Sequence, residues 1–402
     1  MRIAICSDNF YPETSGISDS IITTAKALTQ LGHEIAFFVP AYGEKDYKKI
    51  GITKTDEPDF GPHISIHRFS STSFPTGTGQ GRMVFPTPSG LAAFRKFNPD
   101  VIHSQLFFGV GLKAYYASRL FRKPFVGTNH TVIKEFVRYS PIRLPGLAAF
   151  ADWYMNWYYN RAIFVTAPAR FLLEEMIQSH MIRPNEVVPN SVDMQIFDLP
   201  QENKEKLKAE FGLSPHTITV AGRLSKEKSL DVLFRIFQIV QQAVPDASLA
   251  LAGSGNAHDE LVNLAKELGI SDGVHFVGTL SQSKLARLYG ASDIYATAST
   301  SEVQSMTMIQ AMGCGLPLIG VKSHGVGEQI NGENGYAFPP GDISGFAQKI
   351  IFLLQNERER SELGQKAAAF AKAHYTPAVI ALRFEKIYED AITAYHKKEA
   401  KS

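Results

Sequence analysis

Cysteine is nearly absent from this chain: two in 402 residues, Cys6 and Cys314, one in each half. Two distant thiols make neither a disulfide framework nor a metal cluster, so a reducing, cytoplasmic setting is expected. Long apolar runs are missing as well, and nothing approaches the roughly 18 residues of a membrane span. The opening MRIAICSDNF enters a strand-like run at once, without the long apolar core of a secretory signal. Neither sign of charge dominates. Lys and Arg number 41 against 39 Asp and Glu, a net of +2, which speaks against a nucleic-acid partner. There is no Asp-x-Asp pair to hold a metal-bound phosphate, and no metal or other cofactor is expected. GTGQG (77–81) is followed by no Lys-Ser/Thr, so it is not a P-loop.

What is present is an ordinary globular composition, 44% hydrophobic and 20% charged, on a length that suits two or three domains. Apolar runs rich in β-branched and aromatic residues alternate with helical patterns. RIAICS (2–7), EIAFFVP (34–40), HISIHRF (63–69), DVIHSQ (100–105), PFVGTNH (124–130) and AIFVTAP (162–168) read as parallel strands covered on both faces. Between the first two, Ile21, Ala25, Leu28 and Leu31 share one helix face, and Gly32 is a stop. The pattern restarts with TITVAGR (217–223), ASLALAG (247–253), GVHFVG (273–278), DIYATAS (293–299) and PLIGVKS (317–323). Two such sets predict an α/β chain of two doubly wound domains, residues 1–190 and 191–375. They join near EVVPNSVDMQIF (186–197), where Pro and Asn interrupt the pattern. The amphipathic helix expected at 376–402 is a candidate to pack back on the first domain. Residues 70–90 form a Gly/Pro/Ser/Thr-rich loop of a length usually tied to function or disorder.

Ligands of open α/β sheets bind beyond the carboxyl ends of the strands, so residues following strands carry the interest. Gly16 follows the first strand and precedes a helix, where a missing side chain lets an anion approach the helix amides. His130 ends the fifth strand; the plainer reading is a core histidine, but strand-end placement favours a site. His103 ends the fourth strand with less to support it. Arg223 and Lys228 fall in one strand-to-helix loop. A planar fork and a point charge beside a helix start suit a diphosphate, although a solvated KEK run would look the same. Gly253 opens a GSG turn that would admit a phosphate or a flat base. In STSEVQSMTMIQAMGCG (299–315), Ser305, Met306 and Thr307 lie near a helix N-terminus, whose free amides and dipole favour a phosphate. Glu302 stands just before that turn, either as a site acid or as part of the helix cap. Gln310 lies deeper on the same helix.

The ordered set SGIS, GTNHT (127–131), VVPNSVD (187–193), AGRLSKEKS (221–229), LAGSG (251–255), STSEVQSMTMIQAMGCGLPLI (299–319) and HGVGEQINGENGYAFPPGD (324–342) resembles the family-four retaining glycosyltransferases of group 1 type. The resemblance spans nearly the whole chain. It implies a GT-B fold, two Rossmann-like domains facing across a cleft, with a UDP- or GDP-sugar donor on the C-terminal one and the acceptor on the N-terminal one. It implies that Arg223 and Lys228 neutralise the donor diphosphate and that His130 and Glu302 approach the transferred sugar. Gln310 stands where the family's second Glu binds the ribose. Cations and helix amides would then stabilise the leaving diphosphate without a metal. Departures are Ser15, Ser191, Ser229 and His324, each where a Gly is usual, and the Gln310 amide.

A narrower match, in SEVQSMTMIQAMGCGLP and NRAIFVTAP, resembles the branch that glycosylates diacylglycerol and related membrane lipids. Residues 136–161 hold both tryptophans, four tyrosines and three arginines, a mixture suited to a lipid headgroup zone. A lipid or sugar acceptor and peripheral contact with the inner face of a membrane follow from that branch. The plainer reading makes Phe150, Trp153, Tyr154 and Trp157 the buried stripe of a core helix. The rival functions are a mannosyl- or glucosyltransferase acting on polysaccharide or a soluble acceptor, a non-catalytic nucleotide-sugar binder, and a nucleotide-sugar epimerase.

Overall fold

The computed structural model describes residues 1–13, 15–48, 57–73, 82–133, 146–198 and 202–400. They form two compact units, Met1–Ser191 with Pro377–Ser402, and Val192–Thr376.

In the first unit the strands are β1 (Arg2–Cys6), β2 (Glu34–Pro40), β3 (Ile64–Phe69), β4 (Thr72–Ser73), β5 (Arg82–Met83), β6 (Val101–Ser104), β7 (Phe125–Thr128), β8 (Phe164–Ala167) and β9 (Asn185–Val187). Seven of them form one parallel sheet in the order β3-β2-β1-β6-β7-β8-β9. The pair β4–β5 is a separate antiparallel hairpin. It lies within the stretch read as a loop at 70–90, which therefore contains two short strands; GTGQG lies outside the described residues. The sheet core, including Ile3, Ile5, Phe37, Val101 and Val126, also takes Ile380, Phe384, Ile387 and Tyr388 from the last helix, Pro377–Glu399. Burying each of these side chains contributes about 2 kcal/mol, so the chain's final helix is part of the first unit's core.

The second unit has β10 (His216–Ala221), β11 (Ala247–Ala252), β12 (Val274–Gly278), β13 (Ile294–Thr297), β14 (Leu318–Val321) and β15 (Gly335–Phe338), all parallel, in the order β12-β11-β10-β13-β14-β15. Helices cover both faces. Ile294 and Ala296 enter one core with Phe234, Phe237 and Phe346, while Tyr295 between them enters another with Tyr289 and Met308. That alternation is why the strand reads apolar at every position.

Both sheets are doubly wound, and each reverses its strand order once: between β1 and β6, and between β10 and β13. A crevice opens beyond the carboxyl ends at such a reversal. Those two places hold the candidate residues.

The aromatic helix departs from the plainer sequence reading. In Leu147–Tyr159 the buried residues are Met155, Tyr158 and Tyr159. Phe150 and Trp153 are 59% and 58% exposed, and Tyr154 and Trp157 are half-buried. Aromatic side chains occupy more of the helix circumference than one stripe can bury, and the C-terminal turn takes the core. Residues 136–145 of that stretch lie outside the described residues.

Candidate active site

The second unit's crevice is built by the loops after β10 and β13. Chain direction changes at Gly222, whose φ is +145°. The loop after β11 presses directly against it, since a Cβ on Gly253 would stand 1.9 Å from the Gly222 carbonyl oxygen. The close approach expected at Gly253 is therefore to backbone. Leu224 N–H donates to the Ser254 carbonyl at 3.0 Å, and Ala257 N–H to that of Leu224 at 2.9 Å. This zipper fixes the segment that carries Arg223 before a short 3₁₀ turn, Lys226–Lys228. Ser229 then adopts a left-handed conformation, φ +50°, and helix Leu230–Ala243 begins.

A shallow recess lies here, lined in part by Gly222, Arg223, Lys228, Tyr295, Thr297 and Glu302. Lys228 Nζ donates to Glu302 Oε1 at 2.5 Å, with the two side chains only 27% and 17% exposed. Arg223 Nη1 is 3.9 Å from Glu227 Oε1. The Glu302 backbone is held independently of its side chain. Gly325 N–H donates to its carbonyl at 3.0 Å, and Ser301 Oγ donates to the Glu227 carbonyl at 3.1 Å.

Helix Met306–Gly313 starts behind this loop. Its cap is Ser305, whose Oγ accepts from Met308 N–H at 3.4 Å, so Glu302 is not the capping residue. The Gln329 carboxamide clamps Ser305 from both sides. Its Oε1 accepts from Ser305 N–H at 2.7 Å, and its Nε2 donates to the Ser305 carbonyl at 3.0 Å. Thr307 Oγ1 is 2.8 Å from the Tyr295 hydroxyl, which burial pushes up to a pKa of about 12. Met306 and Thr307 are half-buried. Gln310 is only 7% exposed, and its Oε1 has no hydrogen-bond partner among the described residues.

The first unit's crevice takes the loops after β1, β6 and β7. Gly16 is the first residue of helix Gly16–Gln30, capped by Ser15, whose Oγ accepts from Ser18 N–H at 3.1 Å and donates to Asn9 Oδ1 at 2.7 Å. The Ser at 15 thus ties the helix start to the loop after β1. Ser191 is also absorbed by structure: it is fully buried, its Oγ 2.8 Å from Thr24 Oγ1. Asp8 accepts from Val110 N–H at 2.7 Å and Gly111 N–H at 3.2 Å. Desolvation outweighs those bonds and raises its pKa to about 6.

His130 shares a recess with Ser20, Thr24 and Gln105. Its Nε2 lies 2.9 Å from Gln105 Oε1, and its Nδ1 has no partner among the described residues. The ring is half-buried by surface area but closely surrounded, and lost hydration lowers its pKa to about 4. His103 is fully buried and held through both ring nitrogens, by Tyr388 and Thr128.

Arg223, Lys228 and Glu302 are thus brought together in one recess, with Ser305 and Thr307 linked to it through Tyr295. Gly253 supports the recess from behind, and Gln310 lies inside the helix beyond it. Gly16 and His130 belong to the first unit. Sequence reasoning missed Gln105, Tyr295 and Gln329. Only Gln105 gave a signal, its place directly after a strand. Among the described residues, no three His, Cys, Asp or Glu side chains gather as a metal site, and no helix is long and apolar enough to cross a membrane.

Residues 202–370 match the family model described as glycosyl transferases group 1, and residues 14–196 match that of glycosyltransferase family 4. The chain belongs to this glycosyltransferase family. Among its relatives is an alpha-monoglucosyldiacylglycerol synthase of Streptococcus pneumoniae, 25% identical over 79% of this chain and 70% of that protein. The N-acetyl-alpha-D-glucosaminyl L-malate synthase of Bacillus anthracis is 26% identical over 95% and 96%. A solved structure of Anabaena HepE in complex with UDP superposes with a TM-score of 0.77 at 20% identity, covering 97% of this chain and 100% of that one. The fold is GT-B, and the enzyme is a glycosyltransferase that uses a nucleotide sugar.

Proposed function

We propose that this glycosyltransferase moves a hexose, with retention, from a UDP- or GDP-sugar to a hydroxyl of a membrane lipid or glycolipid. The observation that carries the reading is the Lys228–Glu302 pair beside Arg223, in the crevice where the second sheet reverses. Arg223, Lys228 and the amides at Met306 and Thr307 take the diphosphate, supplying the positive field its departure needs without a metal. Glu302, freed from Lys228 when the diphosphate binds, takes hydroxyls of the transferred sugar. Gln310 lies on the nucleotide side. Its unpaired oxygen is an acceptor for a ribose hydroxyl, and Gly16 and His130 serve the sugar and acceptor side.

The lipid acceptor is supported by the exposed Phe150 and Trp153, and by Arg161, whose guanidinium sits 3.9 Å over the half-buried Trp157 ring. Exposed aromatics beside cations suit a headgroup layer. The name of the pneumococcal relative agrees with it. A soluble acceptor is the second reading, favoured by the name of the Bacillus relative.

The test is incubation with UDP-glucose, GDP-mannose or UDP-N-acetylglucosamine, with and without diacylglycerol vesicles, in the presence of EDTA. Glycolipid with an α linkage is the expected product. Transfer only to soluble acceptors would replace the lipid reading. A β linkage would end retention, and loss of activity in EDTA would end metal independence. Donor binding without turnover would point to the non-catalytic homologue.

A further inference from the structure

Two histidines stand at the carboxyl ends of β6 and β7, and they are held differently. His103 has both ring nitrogens committed: Nδ1 is 2.8 Å from the Tyr388 hydroxyl and Nε2 is 2.6 Å from Thr128 Oγ1. His130 has one nitrogen committed and one free. Its Nε2 lies 2.9 Å from Gln105 Oε1, while Nδ1 is shielded from water with no partner among the described residues. A carboxamide oxygen has lone pairs and no proton. The hydrogen of that contact therefore sits on His130 Nε2. A neutral imidazole protonated there carries a bare lone pair on Nδ1.

The assignment depends on which way the Gln105 amide faces, and its other end decides that. Gln105 Nε2 is 3.3 Å from Nδ1 and 3.4 Å from Nε2 of His103. Near-equal distances to two nitrogens of one ring put the amide over the ring face, out of line with either lone pair. Those in-plane positions are already taken by Tyr388 and Thr128. An amide N–H is attracted to a π face, whereas a carbonyl oxygen is repelled by it. The Gln105 oxygen is thereby turned to His130. Gln105 itself is buried, so packing holds the amide in place.

We propose that Gln105 is a positioning residue that holds His130 as its Nε2–H tautomer, so that Nδ1, covered in the unliganded chain, keeps its lone pair for a substrate hydroxyl that displaces the covering groups. The proposal rests on the reading of His130 as a sugar- or acceptor-side residue. It adds a chemical requirement: the group that meets Nδ1 donates a proton. A deoxy, methoxy or fluoro group at that position leaves the lone pair unpaired, and such a substrate is expected to lose about tenfold or more in kcat/KM.

The test reads the ring directly. The full chain is labelled with ¹⁵N at histidine, and long-range proton–nitrogen NMR correlations are recorded at neutral pH without substrate. His130 is assigned by the signals lost in His130→Gln. The expected spectrum has a protonated Nε2 and a bare Nδ1. In Gln105→Leu the two nitrogen shifts are expected to move toward each other as the tautomers mix. Turnover should fall about tenfold, with donor KM little changed. Gln105→Glu keeps an oxygen acceptor and is expected to restore the protonated Nε2. A protonated Nδ1 in the wild type, unmoved nitrogen shifts in Gln105→Leu, or full turnover in that variant would each overturn the proposal. If Gln105→Leu does not fold, the wild-type tautomer alone decides. The tautomer is read without turnover, so a protein that transfers no sugar yet shows protonated Nε2 defeats the transferase reading and keeps the role of Gln105.

Discussion

Among the described residues Glu302 is held by one side-chain partner, Lys228, and by backbone contacts that do not involve its carboxylate. Removing that carboxylate therefore separates chemistry from folding. Glu302→Ala is expected to abolish measurable turnover while costing on the order of 1 kcal/mol of stability, since water still reaches the pair. Near-normal turnover, with unfolding followed by circular dichroism, would remove Glu302 from the site. Gln310 calls for the opposite test. Its buried, unpartnered oxygen is an acceptor waiting for a donor, and Gln310→Glu adds a charge to that acceptor. If ribose hydroxyls are the missing partner, donor affinity should rise about tenfold and the unliganded variant should melt lower. Calorimetric titration with UDP checks it, and unchanged or weaker binding would assign Gln310 to another partner. Arg223, Lys228, Glu302 and His130 were legible as candidates because each lies in a segment that follows a strand within a recognisable motif. Gln105, Tyr295 and Gln329 were not. Gln329 clamps Ser305 across 24 residues, and Tyr295 meets Ala221 across 74. Such pairings appear only once the sheet order is known.

Among the elements, the strands were the most legible part, because burial on both faces leaves a continuous apolar run that polar linkers bound. Four escaped: β9 and β15 are three- and four-residue edge strands of the parallel sheets, and β4 and β5, two residues each, fall in the stretch read as a loop, all too short to show a run. The glycine departures gain a conformational meaning. Ser229 and His324, at φ +50° and +39°, adopt the left-handed backbone that a Gly tolerates without a side-chain penalty. Ser229→Gly should therefore stabilise the protein by about 0.5–1 kcal/mol, the relieved strain being partly offset by a freer unfolded chain. Urea unfolding checks it, and a loss of stability would mean that the Ser229 side chain contributes more than its backbone costs. The helix Leu147–Tyr159 misled the periodicity argument, since its aromatics serve two surfaces. That division predicts that Trp153→Ala leaves the melting temperature nearly unchanged yet weakens binding to anionic vesicles several-fold in a sedimentation assay. Unchanged vesicle binding would turn this face away from the membrane reading.

For the molecule as a whole, two sheets repeat one plan, and in each the chemistry-bearing side chains stand where the strand order reverses. The first unit buries ionisable groups there, so its stability should carry a pH signature. His103 and His130, lowered from 6.5 to about 3 and about 4, resist protonation in the folded chain. Below pH 6.5 the unfolded chain takes up those protons and the folded chain does not, so stability falls as pH falls. Asp8 works the other way. Burial raises it from 3.8 to about 6, so between those values the folded state keeps a proton that the unfolded state has released. Its contribution is favourable below about pH 4 and is lost as pH rises to 6, a change of about 3 kcal/mol over two pKa units. Asp8→Asn isolates this from the histidines. The variant keeps one carbonyl oxygen for the Val110 and Gly111 amides, so a constant loss is expected at every pH. Superimposed on it, the variant should gain about 3 kcal/mol relative to the wild type between pH 4 and pH 7. Urea midpoints measured across that range give the difference directly. A difference that does not change with pH would mean that Asp8 titrates normally, and that the amides of helix Gly109–Leu120 compensate its burial in full.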